Sequence, residues 1–271
     1  MAGTERADKI NEMNRRTYGD LKIVSEYSSG EIQDPEKAIL DEIRNEITGK
    51  KLLDIGVGVG RTIATLKQIS NDYIGIDYSQ AMVDECNRRY PDTKVILDDA
   101  RNMSGFKDGE FDCVFFTYNA IDYVSHENRL KMLHEIFRVL KKGGCFVFSS
   151  HNKHCLDFPG YVSLWSPLHS LNPFRKFVFN PVKFASKVFA MFKGILNHLR
   201  NSKYVIHTDD YSIINDKEQI YQIMTYYISI ASQRQQLQNI GFKPDINAYD
   251  RYGNIIDKES HNTWIYYLAR K

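Results

Sequence analysis

Acidic residues, glycines and one histidine recur at the ends of short apolar runs, and their types define the chemistry open to this chain. The run at 51–55 leads into Asp54-Ile55-Gly56-Val57-Gly58-Val59-Gly60, with glycines at alternate positions before a helical pattern from Thr62. A backbone without Cβ atoms takes positive φ and lets a ligand lie against it, and the amides opening the next helix point at a negative group. A small molecule bearing a carboxylate or phosphate suits such a loop. Asp54, two residues before the first glycine, would repel a phosphate but can hold an ammonium group. The spacing also departs from the Gly-x-Gly-x-x-Gly of dinucleotide enzymes. Asp77 ends a second apolar run, with Tyr78 beside it, close to the interval of about 20 residues at which a carboxylate meets ribose hydroxyls in doubly wound nucleotide folds. Asp98-Asp99-Ala100-Arg101 follows a third run, Asn119 and Asp122 follow a fourth, and His151 follows a fifth. The ordinary pKa of histidine suits proton transfer near neutrality, which makes His151 the candidate base; hydrogen bonding to loop backbone is its structural alternative.

Such residues need a scaffold that delivers strand ends to one edge. Apolar runs at 52–55, 73–78, 94–97, 111–116 and 145–148 alternate with helical patterns, which predicts an α/β fold with a parallel sheet wound on both faces. In such a sheet ligands bind outside the carboxyl ends of the strands, where Asp54, Asp77, Asp99, Asn119 and His151 all fall. Asp34-Pro35-Glu36 opens a helix, with Ile39, Leu40, Ile43 and Ile47 at helical spacing up to Gly49. Ser79 caps another, with Met82 one turn in. The spacing predicts a helix over 127–140, closed by Lys141-Lys142-Gly143-Gly144, another over 233–240, and a terminal strand over 264–269.

Residues 54–60 resemble the first motif of class I S-adenosylmethionine-dependent methyltransferases, and the order of motifs across 50–150 is similar to theirs throughout. The resemblance implies S-adenosylmethionine as cofactor and a Rossmann-like, mostly parallel seven-stranded sheet, with an antiparallel hairpin of about 242–250 and 264–269. It implies that Asp54, Gly56, Gly58 and Gly60 meet the methionine moiety, Asp77 and Tyr78 the ribose side, Met82, Asp99 and Ala100 the adenine, and Asn119 the cofactor where the acceptor adjoins it. Asp122 would face the acceptor. Tyr18 and Tyr27, in a leading segment that closes over the cofactor in many such enzymes, are candidate acceptor contacts or plain packing aromatics. No carboxylate and Asn set of the metal-dependent members maps onto the chain, and His151-x-x-His154-Cys155 has no fourth ligand at zinc spacing, so no metal is expected. The Asn-Pro-Pro-aromatic pattern of amine methylation is absent, Asn119-Ala120-Ile121-Asp122 standing in its place.

The departure from a minimal member is an insertion. Residues 1–48 read as a helical leading segment, 49–150 as the cofactor-binding core, 151–230 as an inserted lid or substrate subdomain, and 231–271 as the end of the core sheet. Within the insertion, 182–200 sets Ala185, Val188, Phe189, Phe192, Ile195, Leu196 and Leu199 on one helical face. Two strand-like runs, 204–214 and 219–229, follow; Tyr226 and Tyr227 there could line the acceptor pocket or pack.

A chain of 271 residues with 42% hydrophobic and 26% charged residues and a net charge of +2 reads as one soluble globular unit. The charge is uneven: 151–208 hold eight Lys or Arg and one acidic residue, leaving the remainder at −5. The amphipathic helix therefore has three readings: a lid packed on the core, a helix dipping into an anionic bilayer, or a surface tracking phosphates. Cations this sparse make nucleic acid the weakest. Four scattered cysteines give no disulfide framework, and no run is long and apolar enough to span a membrane. A polar start without the apolar core of a signal peptide predicts a cytoplasmic protein, peripheral at the membrane if the bilayer reading holds. The expected function is methyl transfer to a small molecule or glycan, at a hydroxyl. The alternatives are a lipid-linked acceptor, or a non-catalytic subunit that binds the cofactor for a partner.

Overall fold

The computed structural model describes residues 3–18, 30–157 and 181–271. Tyr27 and the prolines at 159, 167 and 173 lie outside them, as does the side chain of Tyr18.

The alternating runs form strands β1 (Leu52–Ile55), β2 (Tyr73–Asp77), β3 (Lys94–Leu97), β4 (Phe111–Phe116) and β5 (Leu140–Asn152). They pair in parallel in the order β3-β2-β1-β4-β5. Every residue of β1 and β2 is buried, as a parallel sheet covered on both faces requires. Successive side chains alternate between two cores. Leu53, Ile55, Ile76 and Phe116 pack on one face beneath α5 (His126–Val139) and α7 (Ile230–Ile240). Leu52, Tyr73, Cys113 and Phe115 pack on the other beneath α2 (Asp34–Ile47), α3 (Ile63–Ile69) and α4 (Gln80–Arg89). The helix starts are set locally. Gln33 and Glu36 form a capping box on α2, and the Ser125 and Ser229 side chains accept main-chain amides opening α5 and α7.

The sheet is larger than seven strands. The expected core is present, with β10 (Trp264–Arg270) antiparallel to β5 and to β9 (Asn247–Tyr249). Three strands of the insertion, β6 (Ile206–His207), β7 (Tyr211–Asn215) and β8 (Met224–Ile228), raise the sheet to ten. The joint is at the end of β5. There β10 holds one edge as far as His151, while β4 stops pairing at Phe148. The other edge at His151 and Asn152 is taken by Tyr227 and Ile228 of β8.

This corrects the expected fifth strand of 145–148. Ser149, Ser150, His151 and Asn152 look like a loop by composition, yet they continue the strand, buried, because their polar groups find partners. Residues 141–144 likewise belong to this strand and not to a helix end, with a register shift against β4.

Helix α1 (Gly3–Tyr18) rests on the inserted strands. Ile10 packs with Tyr204, Ile213 and Met224, and the Asn14 side chain makes both hydrogen bonds to the Met224 main chain, at 2.7 and 2.9 Å.

Helix α6 (Pro181–Asn201) is turned opposite to the packing expected of a lid. It docks by its small and polar side. Gly194 lies against Ile220 and Tyr221, while Asn197 and Asn201 donate to the carbonyls of Ile220 and Tyr221 at 2.9 and 3.0 Å. Phe189 is left 73% exposed, Phe192 58%, and Leu196 and Leu199 each 67%.

Candidate active site

The chain leaves β1 through Gly56 (φ +65°), Gly58 (φ +54°) and Gly60 (φ +92°), all in the left-handed region. These glycines differ in what they serve. A Cβ on Gly60 would stand 2.4 Å from the Tyr90 ring, and one on Gly56 3.1 Å from Phe116; both positions are fixed by protein packing. A Cβ on Gly58 would meet nothing nearer than a carbonyl oxygen at 4.0 Å. Gly58 borders a cavity of about 870 Å³ that opens at the carboxyl ends of the strands, as does Gly56, whereas Gly60 does not. Gly60, expected beside the cofactor, stands in a turn packed on Tyr90 and outside the cavity lining.

Two carboxylates set the floor. Asp77 accepts from the Gly58 amide at 3.0 Å and from the Ser79 amide at 2.9 Å, tying the glycine loop to the end of β2. Burial raises its pKa, opposed by those amides. Asp54 is 2% exposed. Its Oδ2 accepts from the Thr62 hydroxyl and from Tyr73, and burial pushes its carboxyl up to about 6 against the pull of those two hydroxyls. An acid held in this way gains most from a cation placed beside it.

Tyr78, Met82, Asp98, Asp99 and Ala100 line one wall of the same cavity, and Met82 also packs on Val59. Asp99 is engaged by Arg101, whose Nε lies 2.9 Å from Oδ1. Burial works to raise its pKa, but the guanidinium holds it below the usual carboxylate range.

At the end of β4, Tyr118 and Asn119 have φ of +60° and +59°. Two consecutive non-glycine residues in this region store strain of a kind that clusters at functional sites. The turn delivers Asn119 to the cavity. Its amide donates to Ser149 Oγ at 2.8 Å, while its Oδ1 is buried without a hydrogen-bond partner. A buried acceptor in this state calls for a donor from a ligand.

His151 lines the cavity at 3% exposure. Behind it Asp122, which is fully buried, accepts from the His151 amide at 2.6 Å and lies 2.7 Å from Nδ1. Asp122 also accepts from Ser150 at 2.8 Å and pairs with the buried Arg129. Arg129 donates further to Gln233 at 2.6 Å and Ser150 at 3.0 Å, and lies over the Tyr226 ring at 4.5 Å.

Asp122, expected to face the acceptor, does not line the cavity. It stands one layer back, against the histidine. Tyr226 and Tyr227 do not line the cavity either. Both are buried in β8, Tyr226 at 2.9 Å from His126 Nδ1 and Tyr227 with its ring centroid 5.0 Å from that of His151.

Several cavity residues escaped the sequence reading. Arg61, immediately after the last glycine, makes a two-pronged pair with Glu36 at 2.6 Å, donates to Thr117 at 3.0 Å and lies over the Tyr118 ring at 5.1 Å. Arg15 of α1, Tyr123 and Tyr266 join it. Its place at the opening of a helix next to a ligand loop was the available signal for Arg61; nothing local marks the others. Among the described residues no group of three or more His, Cys, Asp or Glu could hold a metal.

Residues 52–144 match the family model described as a methyltransferase domain. The chain is 29% identical over 106 residues to the putative methyltransferase YqeM of Bacillus subtilis, covering 38% of this chain and 42% of that one. It is 27% identical over 167 residues to a demethylmenaquinone methyltransferase of Paenarthrobacter aurescens, covering 61% and 62%. The chain spans about half the length of the curated relatives it matches. The fold is that of a solved S-adenosylmethionine-dependent methyltransferase from Clostridium acetobutylicum, with a TM-score of 0.54 at 15% identity, covering 88% of this chain and 90% of that one.

Proposed function

We propose, on the premise that residues 52–144 form the domain of a class I S-adenosylmethionine-dependent methyltransferase, that this protein transfers a methyl group to a hydroxyl of a small molecule or glycan. The observation that carries the reading is a convergence on one cavity: the open main chain at Gly58, the Asp54 and Asp77 carboxylates, the unpartnered Asn119 Oδ1, and His151. A volume of about 870 Å³ lies toward the upper end of the range of about 300–1,000 Å³ for ligand sites, which supports room for an acceptor beside the cofactor.

In this reading Asp54 holds the cofactor ammonium group, Asp77 the ribose hydroxyls, Met82, Asp99 and Ala100 the adenine side, and Asn119 Oδ1 accepts from a donor at the junction with the acceptor. Gly56 and Gly58 let the ligand lie on the main chain. S-adenosylmethionine, when bound, supplies a methyl group already activated by its sulfonium.

The remaining work falls to the chain. With Nδ1 of His151 donating to Asp122, Nε2 is the basic nitrogen and takes the hydroxyl proton. His151 would hold that proton at Nε2 and pass it to water, leaving the acceptor oxygen free to meet the methyl group that bound S-adenosylmethionine would supply. Alignment can contribute about 7–11 kcal/mol to such a step, and a placed base about two to four orders of magnitude in rate. Asp122 acts through His151 and is a positioning residue.

A second reading, a lipid-linked acceptor met at a cytoplasmic membrane face, is favoured by the outward apolar side of α6.

Calorimetry tests the donor: S-adenosylmethionine and S-adenosylhomocysteine should bind and NAD should not, and a preference for NAD overturns the reading. Transfer of labelled methyl groups to a panel of hydroxyl acceptors tests the reaction. Tight cofactor binding with no transfer to any acceptor would instead support the non-catalytic subunit.

A further inference from the structure

We infer that α6 is a membrane-surface anchor, its outward face seating in the headgroup region of an anionic bilayer. The inference stands apart from the transferase reading.

It begins from how the helix docks. A helix lying on a globular protein normally buries its apolar stripe. Here Gly194, Asn197 and Asn201 meet the protein, and the two asparagines fix the orientation by donating to main-chain carbonyls of Ile220 and Tyr221. The stripe of Phe189, Phe192, Leu196 and Leu199 faces outward. At a turn of 100° per residue these four fall within about a quarter of the helix circumference, with Lys193 and Arg200 along one border.

Charge selects the occupant. From 158 to 208 the chain has seven Lys or Arg and neither Asp nor Glu, although acidic residues number 34 in the whole chain. Helix α6 itself holds no acidic residue. Apolar side chains bordered by Lys193 and Arg200, on a helix without an acidic residue of its own, match a surface that is apolar beneath and negative at its face. No described helix is long and apolar enough to cross a membrane, so this one lies in the plane of the interface.

Co-sedimentation of the full chain with phosphatidylcholine vesicles, and with vesicles half phosphatidylglycerol, tests the assignment. The wild type should pellet with the anionic vesicles at low salt, pellet far less with the neutral ones, and be partly released by high salt. Phe192→Ser with Leu196→Ser should abolish pelleting. Lys193→Gln with Arg200→Gln, which leaves every apolar contact in place, should lower partitioning about thirtyfold, since each cation near such a surface is worth ~1 kcal/mol. Far-UV circular dichroism and an unchanged melting point would show that the variants fold. A wild type that stays in solution with anionic vesicles overturns the proposal. So does an apolar double variant that binds as well as the wild type, which would mean a purely electrostatic surface. A dimer on a sizing column that Phe192→Ser with Leu196→Ser splits, without vesicle binding, would give the face to a second copy and also overturn it.

Discussion

Asp122 holds His151 at two points, accepting from its main-chain amide at 2.6 Å and lying 2.7 Å from its Nδ1. A carboxylate in this position sets both the tautomer and the ring plane of a histidine, so that Nε2 keeps its lone pair on the far side of the ring. Asp122 is itself fixed, by Arg129 and Ser150, and the ring cannot tilt without disturbing a fully buried pair.

If this array removes the acceptor proton, Asp122→Asn and His151→Ala should each lower turnover about 10²- to 10⁴-fold. The amide of the asparagine can donate to Nδ1 and so favours the wrong tautomer. S-adenosylhomocysteine affinity, measured by calorimetry, should be unchanged in both variants. A normal rate in His151→Ala would remove the histidine from the reaction.

Asp54 gives the protein a dependence on pH. Its carboxyl is pushed up to about 6 in the fold, against 3.8 in a free chain. Below about pH 4 both states carry the proton and no stability is lost. As pH rises through about 6 the buried group must ionise, and about 3 kcal/mol of stability disappears across the window from about 4 to 6. Asp54→Asn should therefore stabilise the ligand-free protein at pH 8 relative to pH 4 by up to about 3 kcal/mol in urea unfolding. If Asp54 holds the ammonium group as proposed, cofactor affinity should move the other way, weakening as pH falls below about 6 and this carboxylate is protonated.

The glycines can be told apart by substitution. Gly60→Ala places a Cβ 2.4 Å from Tyr90 at a φ of +92° and should destabilise the fold by about 1–3 kcal/mol or more. Gly58→Ala carries only the conformational cost, about 1–2 kcal/mol, and should act mainly on cofactor binding. Thermal unfolding read beside calorimetry separates the two effects.

Arg129→Met should cost about 3–5 kcal/mol in chemical denaturation, since it strands the Asp122 carboxylate in the interior without its counter-ion. Replacing both members, with Asp122→Leu added, should restore part of that stability and none of the turnover.

What could be read from the chain beforehand was what repeats locally. The alternation of apolar runs and helical patterns gave the parallel core, and the loop glycines with Asp77 gave one wall of the cavity. The wall at His151 depends on long-range pairing. Asp122 read as a strand-end residue like Asn119, and only the fold reveals that it turns away from the cavity to a histidine that continues β5. The strand end at Ser149–Asn152 reads as loop by its polar composition, and it can be buried strand only because those groups are satisfied by Asn119, Asp122 and residues near 260. Helix α6 had the amphipathic pattern of a packed helix, and no local signal says which side will meet the protein. Gly60 and Gly58 are identical letters; a tyrosine thirty residues on separates their roles.

The overhang of β5 beyond β4 has an architectural consequence. Main-chain groups bared there need partners, and any strand of suitable register can supply them. The inserted strands can thus be exchanged at this socket while the parallel core stays as it is. Since His151 sits in the socket itself, each such graft would bring its own surroundings to that imidazole.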